Sequence, residues 1–363
     1  MFASCDRKTT LFVGIDVHRD THTAVGVSPF GEKLFEITVG NYEEDFQLLI
    51  AKVDEVSGKA MLSPFYGLED CRSYGERLAL HLVSEGLPVV SVPPILVDEK
   101  RKHETHPEKS DSLDALGVAR VMIQRIDRLP IFTVTEESKK AKQIKELSQD
   151  RDFLVSERTR LKNQLHTLLH RMWNSEYRSK FKDPFAQKAL RYWRTHTPKG
   201  SDQFLVRSMR RKVSRLQDIR KEVDDIDCEL QRLLTESGHT LTTASGVGVV
   251  IASEIVGEVG DVNRFHSPGA LAKYAGCAPR ECSSGKTNRH RKTRSGNRRL
   301  NRAFHRMALS QISRSGNEKA RAYFHRKVSE GKSKAQALVC LRRQLVNVVW
   351  MMMKHRTEFL LPA

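Results

Sequence analysis

Three short apolar runs open the chain, Leu11 to Val17, His22 to Val27 and Lys33 to Val39, with Ser28-Pro-Phe-Gly31 supplying turn chemistry between the second and third. They predict three successive strands joined by short hairpin connections. A helix over Glu43 to Val56, a strand over Ala60 to Pro64, a helix over Tyr74 to Ser84, a strand over Pro88 to Val92 and a helix starting at Asp111 are expected next. From about Glu136 to Ser237 the pattern changes to long charged helices. Leu147, Leu154, Leu161 and Leu168 recur every seven residues, and Leu216, Ile219, Val223, Ile226, Leu230 and Leu233 follow in steps of three and four. Both stretches predict coiled coil, packed either on each other as an antiparallel pair or on a second protomer. Residues 174–203, with Pro184, Pro198 and Gly200, are expected to form a bend without a core of its own. The remainder is expected to be mainly helical, with Leu338, Leu341, Leu345 and Val348 as core.

Three strands followed by alternating helix and strand is the succession of the ribonuclease H-like plan. The chain is therefore expected to combine an α/β domain over residues 8–130, coiled-coil helices over 136–237 and a mostly helical domain over 238–363. In such a plan the first strand carries a central carboxylate. Asp16 lies deep in an apolar strand, where an unpaired charge is costly and calls for a partner or a cation; the alternative is that it ends the strand and faces solvent. Asp111 and Asp114 are three residues apart on a helix that Ser110 can cap, so both carboxylates project from one side. They either share a metal ion or merely complement the helix dipole. Glu69 follows the fourth strand, with Asp70 as its rival. Four oxygen donors suit Mg²⁺, and such ions can activate an attacking oxygen and steady the leaving one during phosphoryl transfer.

Composition adds a partner. Of the 363 residues, 62 are Lys or Arg against 44 acids, a net charge of +18, and an excess of this kind favours a polyanion through counterion release. Between Arg280 and Arg306 there are ten Lys or Arg and one acid, Glu281. Arg280, Lys286, Arg289, Arg291, Lys292, Arg294, Arg298, Arg299 and Arg302 are expected to bind nucleic acid. Ser283 and Ser284 precede Gly285 at the edge of this stretch; a serine hydroxyl can attack a phosphodiester held by cations, though a Ser-Ser-Gly loop is ordinarily a turn. Gly246-Val-Gly248 suits either the loop of a helix-hairpin-helix module, whose amides approach phosphate, or a plain helix-start turn. Six scattered cysteines without a Cys-x-x-Cys pair predict neither a disulfide framework nor a zinc site, and no stretch is long and apolar enough for a membrane span. A cytoplasmic protein with no membrane partner is expected.

Gly14-Ile-Asp16-Val, Leu68-Glu69-Asp-Cys-Arg, Val92-Pro93-Pro94, Lys109-Ser-Asp111-Ser-Leu-Asp114-Ala, Tyr274-Ala-Gly-Cys-Ala-Pro279-Arg, Ser284-Gly285 and Ser295-Gly296-Asn297-Arg-Arg-Leu300 stand in one order along the chain. In these the sequence resembles the DEDD transposases of bacterial and archaeal insertion sequences (the insertion sequence one-ten family), which are bridge-RNA-guided serine recombinases. The resemblance implies a RuvC-like domain in which Asp16, Glu69, Asp111 and Asp114 bind Mg²⁺. It implies a C-terminal transposase domain in which Ser284 forms a covalent phosphoserine link to DNA. It also implies a homo-oligomer, dimer or tetramer, that acts on donor and target DNA with a structured noncoding guide RNA. Many members carry Glu-Ala-Thr-Gly where this chain has Glu69-Asp-Cys-Arg, which keeps Asp70 open as the ligand, and the doubled serine keeps Ser283 open as the nucleophile. Two other readings stand beside the recombinase: a metal-dependent nuclease or junction resolvase whose C-terminal domain only binds DNA, and a non-catalytic nucleic-acid-binding protein.

Overall fold

The computed structural model describes residues 6–94, 96–97, 110–284, 287–291 and 296–359. It divides into two compact units, Met1–Thr135 and Glu136–Ala363.

In the first unit β1 (Thr10–Val17), β2 (Thr21–Val27) and β3 (Lys33–Gly40) form an antiparallel meander; α1 (Glu43–Ala60), β4 (Ser63–Leu68), α2 (Glu76–Ser84), β5 (Val89–Ser91) and α3 (Asp111–Arg125) follow. The mixed sheet runs β3-β2-β1-β4-β5, with β4 parallel to β1 and β5 parallel to β4. Side chains alternate across it. Leu11, Val13 and Ile15 of β1 enter a core with Phe46 and Leu49 of α1 and Leu78 and Leu82 of α2, whereas Phe12 joins Val118, Ala119 and Met122 of α3 on the opposite face. The fourth strand starts later than the sequence predicts. Ala60 ends α1, Met61 caps it in the left-handed region (φ 53°), and the strand runs from Ser63 to Leu68. Pro64 has no N–H for the ladder and is therefore confined to the strand's start, while the buried Phe65, Tyr66 and Leu68 lie beyond it.

In the second unit α4 (Glu136–Trp173), α5 (Glu176–Lys180), α6 (Gln187–Thr195) and α7 (Gln203–Glu236) come first. They are followed by α8 (Val249–Val259), α9 (Pro268–Tyr274), a two-stranded hairpin of β6 (Arg280–Ser284) and β7 (Thr287–Arg291), then α10 (Arg298–Ile312), α11 (Glu318–Ser329) and α12 (Lys334–His355). Helices α4 and α7 pack on each other within the chain and run antiparallel. Ile144 shares a core with Leu230 and Leu233, Leu154 with Ile219 and Val223, and Leu165 with Met209 and Val213. At one end this pair merges with the core of α8, α10 and α12, which includes Leu341, Leu345 and Val348.

At the other end the connection is more than a bend, contrary to the expectation from its prolines. Tyr177, Phe185, Leu190 and Trp193 are buried with Leu165, Met209 and Val213 in a core of their own, and Trp193 Nε1 donates to the Pro184 carbonyl at 2.8 Å. Its aromatic residues are too irregularly spaced to give a periodic signal. Gly246 (φ 73°) and Gly248 form a turn into α8, preceded by a single 3-10 turn, Leu241–Thr243, in place of the full helix that a helix-hairpin-helix module has there. Among the described residues no helix is long and apolar enough to cross a membrane.

Candidate metal centre and cationic module

The site in the first unit follows from strand alternation. A Cβ at Gly14 would lie 2.3 Å from the Ala115 carbonyl oxygen and 2.3 Å from the Ala119 nitrogen, so the bare backbone of β1 is what lets α3 lie against it. Asp16, two residues on, projects to the same side, where α3 begins. Ser110 caps that helix by accepting from Leu113 N at 3.3 Å, which places Asp111 and Asp114 in the first turn. Ser112 Oγ donates to Glu36 Oε2 of β3 at 2.6 Å and fixes the start of α3 to the sheet.

Asp16 is buried at 6% exposure, and its Oδ2 has no hydrogen-bond partner. His18 Nε2 lies 3.2 Å from Asp16 Oδ2 and 3.2 Å from Asp111 Oδ1. The first contact is an ion pair by distance and is too poorly directed to serve as a hydrogen bond. Burial pushes the Asp16 carboxyl above the usual carboxylate range; His18 opposes the shift, and Asp114 and Asp111 add to it. Donor atoms of Asp16, His18 and Asp111 lie within 4.8 Å of one another, a grouping able to hold a metal ion. An orphaned buried carboxylate oxygen facing a second carboxylate fits a cation. His18 is absent from the predicted ligand set, although its place two residues after Asp16 in an alternating strand puts it on the same side.

Glu69 follows β4 directly. Its N–H donates to Ile15 O at 3.4 Å, beside Asp16 in the register. A Cβ at Gly67, two residues earlier, would meet the Met122 sulfur of α3 at 2.3 Å, so alternation aims Glu69 toward α3 as well. Asp70 is engaged in a turn: its Oδ1 accepts from Arg72 N at 2.9 Å and Ser73 N at 3.1 Å.

In the second unit Ser284 ends β6 and pairs in register with Thr287 across the hairpin, and Ser283 pairs with Asn288. Both serines therefore stand on a strand at the hairpin's end, where the sequence predicts a loop. Arg280, Arg289 and Arg291 lie on the same two strands; Lys286, Lys292 and Arg294 lie outside the described residues. Arg298, Arg299 and Arg302 open α10. Arg299 Nε stands 3.2 Å from Glu258 Oε1, and Arg302 pairs with Asp152 at 2.5 Å and with Glu254 at 3.5 Å. Arg306 reaches Glu254 at 2.8 Å. Glu254 and Glu258 are almost wholly buried in α8, and burial pushes the Glu254 carboxyl upward against the pull of Arg306 and Arg302. Part of the positive charge that the sequence assigns to nucleic acid is thus engaged by the protein's own buried acids.

Two family models match the chain. One, described as Transposase, spans residues 13–174 and takes in Asp16, Glu69, Asp111 and Asp114. The other, described as Transposase IS116/IS110/IS902 family, spans residues 238–325 and takes in the hairpin and α10. An uncharacterized 44.8 kDa protein of insertion element IS116 from Streptomyces clavuligerus is 26% identical, with 97% of both chains aligned. An uncharacterized 43.6 kDa protein of IS110 from Streptomyces coelicolor is 37% identical over 33% of this chain and 29% of its own. An uncharacterized 42 kDa protein of IS900 from Mycobacterium paratuberculosis is 31% identical over 38% of this chain and 35% of its own.

Proposed function

The chain belongs to the IS110/IS116 family of transposases, and from that premise we propose that it excises and inserts its own mobile element by joining a metal-binding acidic cluster to a serine nucleophile. The observation that carries this reading is the convergence of buried Asp16, whose Oδ2 has no hydrogen-bond partner, on Asp111 and His18. Asp16, Asp111, Asp114 and Glu69 would hold Mg²⁺, with His18 beside them. The ion would supply a Lewis acid and neutralise charge at the scissile phosphate.

Asp16 on β1 and Asp111 at the start of α3 would be held for the ion by the sheet and the helix. Glu69 is preferred to Asp70 as the fourth acid because the Asp70 carboxylate already closes its own turn. Ser284 is preferred to Ser283 because it stands next to Gly285 at the hairpin's end. Its Oγ would form a bond to phosphorus as the bond to one strand's oxygen breaks; the serine proton passes to a base, and the released strand takes one up as a hydroxyl. The linkage preserves the phosphodiester's energy, so a strand hydroxyl can reverse the step and complete exchange. Arg280, Arg289, Arg291, Lys286, Lys292 and Arg294 would bind the phosphates of donor and target DNA. A structured guide RNA and a homo-oligomer would complete the assembly, as the family resemblance implies.

Two substitutions test the reading. Ser284→Ala is expected to abolish strand exchange and the denaturation-resistant protein–DNA adduct, and Asp111→Asn to abolish cleavage. Full DNA cleavage by Ser284→Ala with no protein–DNA adduct would instead support the metal-dependent nuclease, with water as the attacking group. A discrete structured RNA co-purifying with the protein is the expected sign of guidance, and purification free of RNA with full activity would remove it.

A further inference from the structure

The positive charge of this chain sits in two places. Residues 171–215 carry thirteen Lys or Arg against three acids, and residues 280–306 carry ten against one. Together they hold more than the whole net charge of +18, so the rest of the chain is close to neutral. Their described cations differ in what they meet. Arg299, Arg302 and Arg306 are held by buried acids, as described above. Among the described residues, Arg215 alone of the thirteen makes an ion pair, with Glu157 and Glu222. Eleven of the thirteen are exposed. They clothe the aromatic core that closes the α4–α7 pair, and most of this tip lies between the two matched family models.

On one side of the tip Phe204, Arg207, Arg210 and Arg211 of α7 line a shallow, open depression of the surface. Phe204 is 63% exposed. Arg207 and Arg211 lie three and seven residues further along α7 and so project from the same side of the helix. A ring among guanidinium groups suits a nucleobase, stacked on the aromatic face, with flanking phosphates held by the arginines. A duplex keeps its bases stacked on one another and offers none to such a ring.

We infer that the tip of the helix pair is a second nucleic-acid site, which takes an unpaired strand by stacking a base on Phe204 and binding the adjoining phosphates through Arg207, Arg210 and Arg211. This site depends on neither the acidic cluster nor Ser284, and its failure is separable from theirs because it is read by binding, without cleavage.

The test uses the full-length protein and fluorescein-labelled 15-nucleotide RNA and DNA single strands, together with a duplex of the same sequence, titrated at several salt concentrations. Arg207→Gln/Arg210→Gln/Arg211→Gln is expected to weaken single-strand binding at least tenfold, and to lower the slope of log affinity against log salt by about 2, at roughly 0.7 per phosphate. Phe204→Ala is expected to weaken single-strand binding by about fivefold or more and to leave duplex binding unchanged. Phe204→Tyr, which keeps the ring, should bind like the parent, and the Arg→Lys triple variant should retain the salt slope. The substituted side chains are exposed, so melting temperatures should match the parent's; if one variant melts early, the tyrosine and lysine variants still decide the matter. Stronger effects on the RNA or on the DNA strand identify the source of the ligand. Parent-like affinity and slope in the glutamine variant would overturn the inference, as would an equal loss of duplex binding by Phe204→Ala.

Discussion

Gly14 and Asp16 show how a single strand serves both packing and chemistry. Any side chain at position 14 collides with the backbone of α3, so Gly14→Ala is expected to cost about 1–3 kcal/mol in chemical denaturation. Because α3 carries Asp111 and Asp114, the same change should weaken Mn²⁺ binding measured by calorimetry; unchanged affinity would mean that the acids do not depend on this contact. The raised Asp16 carboxyl has a sign that can be worked out. The folded state binds that proton more tightly than the unfolded chain, so its contribution to stability is present at low pH and lost as pH rises through the raised value. Asp16→Asn should remove that slope and, in metal-free protein at neutral pH, raise the melting temperature by about 2–4 °C while abolishing DNA cleavage. A lower melting temperature would show that the carboxylate is stabilised by its neighbours. Asp16 was legible in the sequence because an acid inside an apolar run stands out. His18 was less so, since a histidine just past a strand looks like ordinary surface until the fold places Asp111 beside it.

At the scale of elements, the strands and the helix pair were legible because their periodicities are local. The first three strands agree with the observed ones to within about a residue, and the seam residues of α4 and α7 are mostly buried. The fourth strand begins at Ser63 rather than Ala60 because Ala60 and Met61, although apolar, finish a helix. The interior role of Arg299 and Arg302 was not legible at all: the acids that hold them, Asp152, Glu254 and Glu258, come from α4 and α8, far away in sequence. With Glu254 fully buried, removing its cations strands a charge. Arg302→Ala/Arg306→Ala should therefore cost about 3–5 kcal/mol in urea denaturation, whereas Glu254→Leu, which removes the charge itself, should cost far less. Equal losses would assign the effect to packing.

For the whole molecule, the sequence makes one of the two clusters of positive charge plain, the dense run over 280–306. The cations of the tip are interleaved with aromatic residues over more than forty positions and form no run of comparable density. With two cationic regions, DNA binding by the full chain should fall steeply as salt rises. Neutralising Arg280, Arg289 and Arg291 should reduce that slope by about 3 at roughly 0.9 per phosphate of duplex, and a flat response in the unsubstituted protein would remove nucleic acid from the account of both regions.

The seven-residue repeat of the helix pair has a geometric corollary. Helix α4 contains 38 residues, about 57 Å at the usual rise, so the pair acts as a ruler between its aromatic cap and the helices at its base. Deleting one repeat from each arm would bring those ends together by about 10 Å and still present the same apolar stripe. Were the tip to hold a strand as inferred above, its distance from the base of the pair would be set by the length of the two arms and could be reset one repeat at a time.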